Sequence, residues 1–161
     1  MTQVRVLFVC LGNICRSPTA HGIFQQLVNE RELSSQIKVD SAGTGGWHAG
    51  EPPDGRAQAA AVARGYNISH LRARQVADSD FSRFDYILAM DKENLRNLQR
   101  LRPADFSGHL GLFLEFGRQS RHREVPDPYY GGDAGFQLVL DLIQDASEGL
   151  LDHIRHHHLR G

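Results

Sequence analysis

The chain has 161 residues, with 18 Lys and Arg against 19 Asp and Glu and a formal net charge of -1. That length suits one domain, residues 1–161 together, with a sizeable core. The balanced charge gives no electrostatic case for nucleic acid or a membrane surface, and no apolar run reaches the roughly 20 residues that span a bilayer. The start, MTQVRVLFVC, lacks the layout of a signal peptide, so the chain is expected in the cytosol.

In chain order, Val4, Val6, Leu7, Phe8 and Val9 give the pattern of a buried strand that runs into Cys10. A polar turn follows with Gly12 and Asn13, the residue types that best tolerate positive φ. Pro18 suits a first helical turn, and Ala20, Ile23, Phe24 and Leu27 repeat at helical spacing. Ile37, Val39 and Ser41 alternate through a second strand closed by the turn Gly43 to Gly46. Trp47, the single tryptophan, lies in a loop that ends at Pro52-Pro53. Asp54 caps a helix rich in small residues that Gly65 stops. Phe84 to Met90 reads as a third strand, and Asp91 as the N-cap of a helix through Leu101. Leu110, Leu112, Phe113 and Leu114 read as a fourth strand. A polar loop spans Gly117 to Gly132. A last helix carries Phe136, Val139, Leu140, Ile143, Ala146, Leu150 and Ile154 near a 3.6 period.

Strands alternating with helices predict an α/β fold of three layers, a parallel sheet with helices on both faces. Such sheets bind ligands beyond the carboxyl ends of their strands. Cys10 falls at that end of the first strand. The loop Leu11, Gly12, Asn13, Ile14 and Cys15 can turn successive N–H groups inward as an anion nest. The helix starting near Ser17 adds the positive end of its dipole. Arg16 adds a planar fork for two phosphate oxygens. Cys10 lies under this positive field, which favours the thiolate, the nucleophilic form. A lone cysteine is more often a small apolar residue. Here that reading leaves Arg16, Ser17 and the helix start as coincidence.

CLGNICRSPTA resembles the phosphate-binding signature of the low-molecular-weight protein tyrosine phosphatases. The resemblance continues through DSAGT, ARQV, FDYILAMD, NLRNL and DPYYGG, in order along the chain. It implies a four-stranded parallel sheet and hydrolysis of phosphotyrosine through a cysteinyl-phosphate. Cys10 is then the nucleophile, Arg16 the phosphate clamp and Asp127 the general acid, followed by its work as base on water. Pro126 and Pro128 limit the backbone around Asp127, and Tyr129 and Tyr130 offer apolar walls for an aromatic ring. By the same resemblance Asn13 holds the loop, Ser17 donates to the thiolate, Ser41 supports it, and Trp47 forms a pocket wall. Cys15 is the partner that captures an oxidised Cys10 as a disulfide, or else a packed loop residue. The expected partner is a phosphotyrosine protein, and the expected state a monomer without cofactor or metal.

Two departures stand out. The family usually has a histidine two residues before Ala-Arg-Gln, bracing the phosphate loop. Here Leu71 holds that place and His70 precedes it. A bulge is expected to return His70 toward Asn13 and Ser17 while Leu71 joins the core. His21 stands where an acidic residue is common, which weakens the first-turn charge of its helix. In the tail, His153 and His157 share a face that could bind metal, although a frayed, solvated helix end is the plainer expectation. Arg74 and Asp91 also match family positions, with an ion pair or a cap as the default. Two other functions compete. An arsenate reductase of the same fold would pass its disulfide to cysteines beyond the loop, and none follows Cys15. A non-catalytic phosphotyrosine-binding module would need neither Cys10 nor Asp127.

Overall fold

Strand β1, Val4–Cys10, is the hub of the molecule. The computed structural model describes residues 3–119, 121–128 and 132–159. β1 pairs in parallel with β2, Ile37–Gly43, on one side and with β3, Tyr86–Ala89, on the other. Cys10 lies opposite Gly43 in that register. β4, His109–Leu112, pairs in parallel with β3, so the order is β2-β1-β3-β4. Parallel neighbours require crossovers, which cover both faces of the sheet.

β1 is apolar from Val6 to Cys10 because both its faces are buried there, and only Arg5 near its start is exposed. Val6 and Phe8 enter one core with residues of α1, Arg16–Glu30, and α5, Gly132–His158. Phe8 packs edge-on against Phe24 and Phe113, with ring centroids 5.7 and 4.8 Å away. Leu7 and Val9 enter the other core with Phe81, Leu98 and Phe106. Leu98 comes from α4, Lys92–Leu101. Two helix starts have a side-chain cap. The Asp54 carboxylate accepts from the Arg56 and Ala57 amides and opens α2, Gly55–Ala63. The Asp91 carboxylate accepts from Asn94 N at 2.7 Å and opens α4. Gly65 takes a φ of 89° just past α2, which a residue with a Cβ adopts at a cost.

One element is added to the sequence reading, and two expectations need correction. The segment before β3 holds a short helix, α3, Asp80–Arg83, that no periodicity announces at four residues. The fourth strand stops at Leu112, and Phe113–Phe116 turns as a 3-10 helix. Strand alternation would send Phe113 and Leu114 to opposite faces, yet both enter the α1/α5 core, and the turn delivers them there. The tail is not a frayed helix end. α5 continues to His158, whose Nε2 lies 2.9 Å from the Tyr86 hydroxyl. His153 stacks on His157 at 4.1 Å between centroids and meets the Phe116 ring edge-on at 5.1 Å. Among the described residues no group of three or more His, Cys, Asp or Glu side chains could hold a metal ion.

The sheet order reverses between β1 and β3. Ligands in open parallel sheets sit at such a switch, beyond the carboxyl ends of the strands. Cys10, Gly43, Ala89 and Met90 mark that edge.

Candidate active site

β1 delivers Cys10 to the carboxyl edge, and the chain turns back on itself before α1. The turn is possible because Asn13 takes a φ of 58°, the left-handed region that asparagine tolerates. The loop carbonyls are committed outward. Thr44 N donates to Cys10 O, Gly45 N to Leu11 O and Asp54 N to Ile14 O, at 2.8–2.9 Å. Gly43 is required at this contact, since a Cβ there would lie 2.8 Å from Leu11 O. Inside the turn, Asn13 N donates to Cys10 Sγ at 3.3 Å.

Ser17 Oγ lies 3.0 Å from the same sulfur. Asn13 Nδ2 donates to that oxygen at 2.7 Å, so the serine proton points at the sulfur or at Ala42 O, 3.4 Å away, and a thiolate at 3.0 Å is the nearer acceptor. Asn13 Oδ1 in turn accepts from Arg74 N at 3.0 Å, so the loop is tied to a segment outside it. The Arg74 guanidinium is held by Asp40 and Asp80 at 3.0 Å each. Burial opposes its charge, but the two carboxylates win and raise its pKa above the ordinary arginine value.

Arg16 begins α1 almost fully buried. Its Nη1 donates to Asp91 Oδ2 at 2.6 Å and to Val125 O at 3.0 Å. Its Nη2 lies 4.0 Å from Asp127 Oδ2. Burial works against this cation. Cys10, Asp91 and Asp127 outweigh it, so the guanidinium stays charged. Asp91 uses one oxygen for Arg16 and the other to cap α4. Val125 N donates to Met90 O at 2.7 Å, which fastens the acid-bearing loop to the end of β3. Asp127 itself is half-exposed.

These groups share one cleft of about 320 Å³, lined by Cys10, Ile14, Cys15, Arg16, Trp47, His48 and Asp127 among others. A larger cleft of about 620 Å³ lies at the opposite, amino ends of β3 and β4, and no cysteine is among its described lining residues. A buried sulfur, a fixed guanidinium and a half-exposed carboxylate around one opening suit phosphoryl transfer.

The family profile described as low molecular weight phosphotyrosine protein phosphatase matches residues 5–159. The chain belongs to this family. A Bacillus subtilis low molecular weight protein-tyrosine-phosphatase is 43% identical over 153 residues, covering 95% of this chain and 97% of its own. The human low molecular weight phosphotyrosine protein phosphatase is 44% identical over 136 residues, covering 83% and 85%. A crystal structure of an Entamoeba histolytica protein tyrosine phosphatase superposes with a TM-score of 0.92 at 38% identity, covering 96% of this chain and 98% of that one.

Against the phosphatase signature, the residues singled out from sequence fall as follows. Cys10, Leu11, Gly12, Ile14, Cys15, Arg16, Trp47 and Asp127 line the cleft, with Asn13 and Ser17 behind the sulfur. Tyr129 and Tyr130 lie outside the described residues. Burial, then Asp54, Cys10 and Asp127, push the Cys15 thiol up to about 12, so it stays protonated beside the nucleophile. The expected brace from His70 does not form. His70 is exposed and, among the described residues, bonds neither Asn13 nor Ser17. Leu71 does pack against the core. The Arg74 amide and the Ser17 hydroxyl already hold both ends of the Asn13 side chain, so the loop is braced without an imidazole.

Ser41 has a partner that sequence reasoning missed. Its Oγ lies 3.0 Å from His21 Nδ1, on the first turns of α1. Burial lowers the His21 pKa to about 4, with Asp40 opposing and His70 and Arg74 assisting, so the imidazole is neutral near pH 7. His48 was also missed. It lines the cleft and pairs with Glu51 at 3.0 Å, and no spacing in the loop marks it.

Proposed function

We propose that Cys10, Arg16 and Asp127 carry the protein-tyrosine phosphatase activity of this family member. The observation that supports this most is the convergence of Cys10 Sγ, Ser17 Oγ and the Arg16–Asp127 pair on one cleft. The Cys10 thiolate attacks phosphorus, and the P–O bond to the tyrosine breaks. Asp127 gives its proton to the departing phenolate. Water then attacks the cysteinyl-phosphate while Asp127 takes a proton from it, and phosphate and free thiolate are released. Arg16 Nη2 and the loop amides stabilise the equatorial oxygens of both transition states. Nη1 is held back by Asp91 and Val125, which sets the plane of the fork.

The substrate is a phosphotyrosine side chain of a protein, as the names of the relatives indicate. A thiol nucleophile needs reducing surroundings, which favours the cytoplasm. Among the described residues no helix is long and apolar enough to cross a membrane. The test is metal-free turnover of p-nitrophenyl phosphate. Cys10→Ser is expected to keep fold and phosphate binding and to lose turnover, because a serine hydroxyl stays protonated there. Activity within tenfold of the wild type would sink the cysteinyl-phosphate mechanism.

A further inference from the structure

Leu11 and Trp47 form a ridge with two sides. One side lines the cleft over Cys10. The other lines a second groove of about 550 Å³ that Arg100 and Leu101 of α4 also line. We propose that this groove is a specificity subsite for residues flanking phosphotyrosine in the substrate chain, and that it takes an apolar side chain followed by a carboxylate. The proposal rests on the phosphatase reading above.

Five large hydrophobic side chains are exposed among the described residues, and three of them meet in this groove: Leu11 at 42%, Trp47 at 70% and Leu101 at 44%. Apolar groups gathered on a surface mark a place where something docks. The groove is also built rather than incidental. A Cβ on Gly45 would overlap the Trp47 ring, so the indole lies directly on that backbone. Gln75 is fixed in the same wall, with its Nε2 donating to Thr44 O at 3.2 Å. A Cβ on Gly46 would fall 2.7 Å from the Gln75 Oε1. Two glycines therefore let the aromatic and the carboxamide settle against the chain.

Charge selects the occupant. Arg100 is the single charged side chain among the described residues that line the groove. Its hydrogen bond to Asn97 Oδ1, at 3.3 Å, stays within α4 and leaves its charge without a carboxylate partner among the described residues. A cation next to an apolar wall matches a carboxylate next to an apolar side chain. Continuity with the catalytic cleft supplies the geometry. A chain crossing the Leu11–Trp47 ridge places its phosphotyrosine over Cys10 and its next residues against Leu101 and Arg100.

Two phosphotyrosine peptides that differ only in the flanking pair, Leu-Glu or Ser-Lys, placed before or after the phosphotyrosine, decide the matter. p-Nitrophenyl phosphate, which cannot reach the groove, serves as the control. The wild type is expected to favour Leu-Glu on one side by about tenfold in kcat/KM, expressed in KM, the size of one apolar pocket contact plus one exposed ion pair. Leu101→Asp and Arg100→Glu are expected to bring that preference within about twofold and to leave p-nitrophenyl phosphate turnover unchanged. Both positions are exposed on α4, so the fold does not depend on them. An undiminished preference in both variants overturns the subsite, as does equal use of the two peptides by a wild type that turns over p-nitrophenyl phosphate. A wild type without p-nitrophenyl phosphate turnover overturns the phosphatase reading, and the subsite with it.

Discussion

At the scale of single residues, the site depends on side chains that each serve two partners. Asn13 joins Ser17 to Arg74, and Asp91 joins Arg16 to the start of α4. The acid is set apart by exposure: Asp127 is half-exposed, and its Oδ2 lies 4.0 Å from Arg16 Nη2. Replacing it therefore disturbs chemistry more than structure. Asp127→Ala is expected to lower kcat for aryl phosphates by about 10²–10⁴ without a change in the thermal transition. The defect shrinks for esters whose leaving group is already acidic, because such a phenolate departs without a proton. A series of substituted phenyl phosphates measures this. An equal defect across the series would remove Asp127 as proton donor and turn attention to Glu124, whose Oε1 accepts from Lys92 N at 2.9 Å. Cys10, Arg16 and Ser17 were legible because one short loop carries them. The partners that hold Arg16 and Asn13 lie 61 to 109 residues away, and no local spacing encodes such distances.

At the scale of elements, legibility followed length. β1, α1, α4 and α5 announce themselves by period and caps, whereas α3 has four residues and shows no period. The 3-10 turn after β4 was hidden for another reason: its apolar run fits a strand until the two buried faces are known. The first turns of α1 hold a further consequence. His21 is partly buried against Ser41 and neutral in the fold, with its pKa lowered from 6.5 to about 4. The unfolded chain binds a proton there below about pH 6.5, and the folded chain does so only below about 4. Stability is thus fully present above the unfolded value and is lost as pH falls through this window. The slope from one proton is at most about 1.4 kcal/mol per pH unit. His21→Gln keeps a side chain that can bond Ser41 and removes the titration. Urea melts of both proteins from pH 7 to pH 4 are expected to separate toward the acid end, the wild type losing stability that the variant keeps. Curves that stay parallel would mean that the imidazole is free to protonate in place.

At the scale of the whole molecule, the order of strands and helices was legible, but the distances at which layers meet were not. A hydrophobic pattern says which face turns inward and not how closely two backbones approach. That closeness shows in Gly149, buried in the middle of α5. A glycine inside a helix usually costs about 1 kcal/mol relative to alanine, so Gly149→Ala would ordinarily stabilise. Here a Cβ would overlap the Phe116 carbonyl oxygen at the end of the 3-10 turn. That atom is backbone and cannot swing aside, so α5 must move off the turn that follows β4. Overpacking of this kind costs about 1–3 kcal/mol, which exceeds the gain in helix propensity. Net destabilisation is expected, with the melting temperature down by about 2–8 °C for a chain of this size. Gly55 is the internal control. It opens α2, and a Cβ there meets nothing within 4 Å. Gly55→Ala is therefore expected to raise the melting temperature by about 1–3 °C, from propensity alone. Thermal melts of the two variants beside the wild type decide it. If both alanines raised the transition alike, the contact between α5 and the turn after β4 would have slack, and Gly149 would be there for some reason other than the close approach of two backbones.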